Sequence, residues 1–120
     1  MLLNVTNHAS SSWSGAQLQA AHEQFGPVID LPFPHIDAQM EDEKINRLAR
    51  EYLMKIESFD NPTVLLQGEF VFTYRLICLL KQKGIRVIAC QSNIEREEYL
   101  DENQNTVKRT IYRFSRFLEY

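Results

Sequence analysis

His8 is the side chain best suited to move a proton near neutral pH, and it stands in a polar run, Thr6 to Ser12, directly after the short apolar stretch Leu2 to Val5. A histidine in such company can act as acid or base on a bound ligand; the plainer account is a surface residue that orients Ser10 to Ser12. A second group is Gln67-Gly68-Glu69, where an apolar run gives way to helical spacing. Gly68 permits close backbone approach, and the first free N–H groups of the helix favour an anion. Glu69 could be catalytic there, although a carboxylate in a first turn is explained by the helix dipole alone, and Gly68 by an ordinary turn. A third group is Gln91, Ser92, Asn93 and Arg96, a run of hydrogen-bonding side chains after another apolar stretch. His35 lies between prolines and an acidic helix start, which suits an incidental role.

Lys108, Arg109, Arg113 and Arg116 gather positive charge near the end of an acidic chain, with Tyr112, Phe114 and Phe117 interleaved. Such a mixture can hold phosphates and stack bases, and a solvated edge strand protected by charge has the same pattern. No Ser-His-Asp order, metal-ligand set or Walker-type loop occurs, so a metal-independent or purely binding role is expected, with no cofactor.

The elements that must position these groups follow from periodicity. Leu2 to Val5 reads as a strand. Ser14 and Gln17 have capping-box spacing, Trp13 and Leu18 occupy the two positions of a hydrophobic staple, and Gly26-Pro27 stops the helix. Val28 to Leu31 reads as a second strand, and Pro32-Phe33-Pro34-His35 as a stiff extended loop. From Glu41, Ile45, Leu48, Ala49, Tyr52, Leu53 and Ile56 fall on one helical stripe. Thr63 to Leu66 reads as a buried inner strand and Glu69 to Lys83 as a helix that is apolar nearly all round. That surplus apolar surface asks for a second cover, and a homodimer is expected to supply it. Ile85 to Cys90 reads as a fourth strand. Ile94 to Leu100 and Val107 to Phe117 form a hairpin about the polar turn Asp101 to Asn105, added to the sheet or reaching to a partner.

Strand and helix thus alternate, which predicts an α/β fold: a Rossmann-like, mostly parallel sheet flanked by helices, with a C-terminal β-hairpin. The 120 residues, 44% of them hydrophobic, suit a single domain spanning 1–120. Thirteen basic against sixteen acidic residues leave a net charge of −3, which excludes coating of duplex DNA by bulk charge; any bound anion must be held locally. Cys78 and Cys90 lack zinc-site spacing and read as reduced core residues. No apolar run approaches the roughly 18 residues of a membrane span, and the start lacks the features of a signal peptide. A cytoplasmic protein, without a membrane partner, is expected.

Four stretches together carry a resemblance: Asn4-Val5-Thr6-Asn7-His8, Pro32-Phe33-Pro34, Gln67 to Tyr74, and Arg113 to Tyr120. The chain resembles small, single-domain CRISPR-associated proteins with a CARF-like (CRISPR-associated Rossmann) fold, of the ring-nuclease type. The resemblance implies a homodimer that binds cyclic oligoadenylate, cyclic tetra-adenylate foremost, across its two-fold axis, and in some members cleaves it without metal to switch off type III CRISPR signalling. A sensor or sponge that binds without cleaving and a dimeric protein-interaction module are the alternatives. On that footing Gln67, Gly68, Glu69 and Thr73 are expected around phosphates. Asn7, His8, Ser11, Ser12 and Trp13 would contact ribose or base, Gln91 and Ser92 would join the ligand contacts, Arg96 or a basic residue of the last strand would neutralise phosphate charge, and His8 would carry the proton.

Overall fold

Four short runs of aliphatic side chains set the centre of the molecule. The computed structural model describes all 120 residues, in the order β1 (Leu2–Val5), α1 (Gly15–Phe25), β2 (Val28–Asp30), α2 (Asp42–Glu57), β3 (Thr63–Leu66), α3 (Phe70–Gln82), β4 (Val87–Leu100) and β5 (Thr106–Glu119), with a 3-10 turn at Ser10–Ser12. The five strands form one sheet in the order β2-β1-β3-β4-β5. Every pairing is parallel except the last, β4 with β5. The chain is therefore α/β with a mostly parallel sheet and an antiparallel C-terminal hairpin, and β3 is the innermost strand.

Alternation along the strands divides the core in two. Leu3, Val5, Val64, Leu66 and Val87 face α2 and α3, where they meet Ala49, Tyr52, Leu53, Ile56, Phe72, Leu76 and Leu80. Leu2, Leu65 and Ile88 face α1, with Ala21 fully buried and Trp13, Phe25 and Phe117 around them. One face thus carries two helices and the other only α1. The Pro32 to Pro34 loop is fixed rather than merely extended: Tyr52 Oη donates to the Pro32 carbonyl at 2.6 Å, and Phe33 meets Phe72 edge to face at 5.3 Å.

Three sequence expectations change. The Ile85 to Cys90 strand and the first arm of the hairpin are a single strand, β4, which runs unbroken to Leu100 with an irregularity at Gln91/Ser92. Gln91, Ser92 and Asn93 therefore lie within a strand rather than in a loop, and Arg96 lies farther along that same strand. The capping box at α1 is half made: Ser14 Oγ accepts from the Gln17 N–H at 3.2 Å, and no return bond from the Gln17 side chain accompanies it. The apolar surplus of α3 is concentrated at its N-terminal turn, where Phe70 is 88% and Tyr74 69% exposed, while Phe72, Leu76 and Leu80 are buried.

The outline is drawn out, 54 × 39 × 21 Å. Its radius of gyration, 17.1 Å, exceeds the roughly 13.6 Å usual for a chain of this length. The excess comes from the β4–β5 ribbon, which beyond the irregularity has no third strand beside it. No helix is long and apolar enough to cross a membrane.

Candidate functional site

After β1 the chain passes to α1 on one face of the sheet, and after β3 it passes to α3 on the other. Two adjacent parallel strands whose continuations part in this way leave a crevice beyond their carboxyl ends, the switch point where α/β sheets hold ligands. A cavity of about 770 Å³ opens there, within the range of roughly 300–1,000 Å³ typical of ligand sites. Thr6, Asn7, His8 and Ser12 form one wall, Trp13, Ser14 and Gln17 a second, Leu65, Gln67 and Gly68 the floor, and Cys90, Ser92, Tyr112 and Phe114 the far side.

The His8 wall is built on Asn4, a polar residue 1% exposed in the middle of β1. Its amide donates to the His8 carbonyl at 2.8 Å and to Asp30 Oδ1 at 2.8 Å, while its oxygen accepts from Thr6 Oγ1 at 2.8 Å. Trp13 Nε1 also donates to the His8 carbonyl, at 3.2 Å. Asp30, at the end of β2, accepts from the Ser10 N–H at 3.1 Å and from Ser10 Oγ at 2.9 Å. Partial burial works to raise the Asp30 pKa, but the bonds from Asn4 and Ser10 outweigh it and hold the carboxyl below its ordinary value. The backbone of His8 is thereby fixed, and the exposed residue lines the crevice.

On the floor, the Gln67 amide acts as an extra rung of the sheet: its oxygen accepts from the Cys90 N–H at 2.8 Å and its nitrogen donates to the Cys90 carbonyl at 3.1 Å. Both of its polar atoms are engaged before any ligand arrives. Gly68 is required by space rather than by backbone conformation, because the Phe33 ring occupies the position of a Cβ there. Tyr120 Oη donates to the Leu66 carbonyl at 2.7 Å, which anchors the end of β3 from beneath.

Glu69 overturns the placing of an anion at the start of α3. Its carboxylate accepts from the Val71 N–H at 3.0 Å and the Phe72 N–H at 2.7 Å, so the helix caps itself with its own negative charge. The N-terminus of α1 is different, since its cap, Ser14, is neutral. Ser14 and Gln17 both line the crevice.

A family model described as the Uncharacterized protein MJ1673 family matches residues 1–118. The chain belongs to that family. No curated protein and no solved structure matches it.

Of the residues singled out in the sequence, this member of the MJ1673 family brings Asn7, His8, Ser12, Trp13, Gln67, Gly68 and Ser92 into one crevice. Ser11, Glu69, Thr73, Gln91 and Arg96 are not part of its lining. Thr73 is buried within α3, its hydroxyl without a hydrogen-bond partner. Gln91 alternates away from Cys90 and Ser92, and Arg96 lies farther out along the ribbon. The basic last strand is mostly neutralised: Arg113 pairs with Glu95 at 2.9 Å, Arg109 with Glu97 at 2.9 Å and Lys108 with Glu98 at 3.5 Å. Cys90 has its pKa raised, burial outweighing a hydrogen bond with Ser92, and so stays a thiol near neutral pH. Sequence reasoning missed Asn4 and Asp30 as organisers, and it read Tyr112 and Phe114 as able to stack bases without placing them beside His8; a lone amide inside an apolar strand was the available signal for Asn4.

Proposed function

We propose that this crevice binds a cyclic oligoadenylate, most naturally cyclic tetra-adenylate, across a homodimer axis, and that it cleaves the ring without metal, as the resemblance to CARF-like ring nucleases implies. The carrying observation is the composition of the lining at the β1/β3 switch point: one imidazole, hydroxyls, amides and aromatic rings, with no carboxylate. Trp13, Tyr112 and Phe114 offer faces on which adenines can stack. Thr6, Asn7, Ser12 and Ser92 offer hydrogen bonds to ribose and phosphate oxygens. The α1 N-terminus, capped by a neutral serine, favours negative charge beside His8.

This set suits internal transesterification. A ribose 2′-oxygen forms a bond to the adjacent phosphorus, the bond from phosphorus to the 5′-oxygen breaks, and a 2′,3′-cyclic phosphate remains. The 2′-hydroxyl proton goes to His8, which returns a proton to the leaving 5′-oxygen; the walls fix the in-line approach. One observation favours a second reading, a sponge that binds without cutting: His8 is the only histidine in the lining, and no carboxylate there orients it.

Incubation with cyclic tetra-adenylate, with product analysis in chelator, separates the readings. Linear fragments ending in 2′,3′-cyclic phosphate are expected, and His8→Ala should lower the rate about 100-fold or more while binding persists. An intact ring after hours, with a raised melting temperature, favours the sponge. Absence of any thermal shift or turnover removes the nucleotide reading altogether.

A further inference from the structure

The crevice has no lysine or arginine in its lining, and Glu69 already holds the N–H groups at the start of α3. A ring with a phosphate at every nucleotide needs a cation that this lining lacks. The ribbon carries two without a carboxylate partner, Arg96 on β4 and Arg116 on β5, and Arg116 stands opposite Gln91 on the face turned away from Cys90 and Ser92. The remaining basic residues of β5 are engaged, Arg113 by Glu95, Arg109 by Glu97 and Lys108 by Glu98, which leaves Arg96 as the unpaired cation on the crevice face.

Alternation along β4 puts Arg96 on the same face as Ser92 and Ile94, the face that lines the crevice. It lies four residues past Ser92, about 13 Å farther out at roughly 3.3 Å per residue, too far along to join its own site. Between the two, Ile94 and its cross-strand neighbour Tyr112 are 56% and 69% exposed. A two-stranded ribbon is marginal by itself, and an apolar patch on one asks for cover. A second copy fits best as that cover. A two-fold contact sets the same face against itself, and cross-strand ion pairs leave the ribbon without strong repulsion toward its copy.

From the uncovered apolar stripe, the cation-free crevice and the unpaired Arg96 on one face, we propose that the β4–β5 ribbon is an arm that docks on a second copy of this chain and delivers Arg96 into that copy's crevice. The Arg96 role rests on the anion-binding reading above; the arm contact does not. Each site then takes His8 from one protomer and Arg96 from its partner.

Two experiments test this. With both native cysteines replaced by serine, Ser12→Cys and Arg96→Cys chains, separately tagged and mixed, should join through a short bis-maleimide cross-linker into a species with both tags. Failure to join, or a monomeric wild type in sedimentation, overturns the arm. For the site, His8→Ala and Arg96→Ala chains should each lose turnover or binding of cyclic tetra-adenylate by about tenfold or more. Their mixture should regain about one quarter of wild-type turnover, because half the dimers pair the two variants and each such dimer holds one complete site. An active wild type whose mixed variants regain nothing overturns delivery in trans while the nucleotide reading stands. A cross-linked dimer with no response to the nucleotide overturns the Arg96 role together with that reading and leaves the arm in place.

Discussion

Replacing Gly68 by alanine sets two effects of opposite sign against each other. The Gly68 backbone lies outside the left-handed region that Gly26 and Gly84 adopt, so alanine meets no conformational penalty. By restricting the unfolded chain, it would stabilise by about 0.4–1 kcal/mol if there were room. There is none: the new Cβ overlaps Cε2 and Cζ of Phe33 and falls 2.7 Å from Cε1. Carbon contacts are optimal near 3.5–4.0 Å, so the ring must retreat by about 1 Å or more. It cannot swing freely, because Phe72 packs against its edge, Tyr52 holds the Pro32 carbonyl at 2.6 Å, and Pro34 stiffens the far side. Overpacking of this kind costs about 1–3 kcal/mol, which outweighs the entropic gain. Thermal unfolding should show a drop of about 4 °C for each kcal/mol lost. In a Phe33→Ala background, itself destabilised, the same substitution should be neutral or stabilising. An increase in melting temperature for Gly68→Ala alone would refute the reasoning, since it would mean that the ring yields without cost.

Two further outcomes follow from hydrogen bonds around the crevice. The folded pKa of Asp30 lies below its unfolded value, so its stabilising contribution is complete above the ordinary carboxylate range, about pH 4, and fades as pH falls through the folded value. Melting temperature against pH should therefore fall more steeply on the acid side for the wild type than for Asp30→Asn; parallel curves would deny the carboxylate that role. Glu69→Ala should lower stability by about 1 kcal/mol through loss of the cap, with nucleotide affinity undiminished. Loss of affinity at unchanged stability would make Glu69 a ligand contact instead.

Where elements are set by local signals, the sequence is explicit. Leu2 to Val5 and Thr63 to Leu66 are apolar runs bounded by polar residues, and both are strands; the stripe from Ile45 to Ile56 is a helix, capped one residue from where its acidic start puts it. The long β4 is not explicit, for a physical reason. Past Cys90 the ribbon is solvated on most of both faces, so Gln91, Ser92 and Asn93 pay no burial penalty and read as loop. Its continuity is a matter of pairing with β5, which composition does not encode. Asn4 and Asp30 are separated by 26 positions, and Phe33 meets Gly68 across the domain. Neither contact exists until parallel pairing has set β1 between β2 and β3.

The same long-range pairing decides where negative charge is tolerated. Read locally, the start of α3 is the natural anion site, with a glycine turn and free N–H groups at the end of the innermost strand. In the folded chain Glu69 turns back onto those groups, and Gln67 spends its amide on Cys90, so this corner is electrostatically and geometrically complete. Across the crevice, the Asn4–Asp30–Ser10 network folds the Thr6 to Ser12 loop so that His8 shares the crevice with the N-terminus of α1, whose cap, Ser14, carries no charge. Asp30 is negative too, yet its oxygens are consumed by Asn4 and Ser10, and it is absent from the lining. The place that tolerates negative charge is therefore displaced from β3 toward β1, to the wall that also carries His8. On the proposed nucleotide reading, a ligand there would lie with its phosphate beside His8 and its base toward Tyr112 and Phe114, the reverse of the orientation that the α3 terminus would favour.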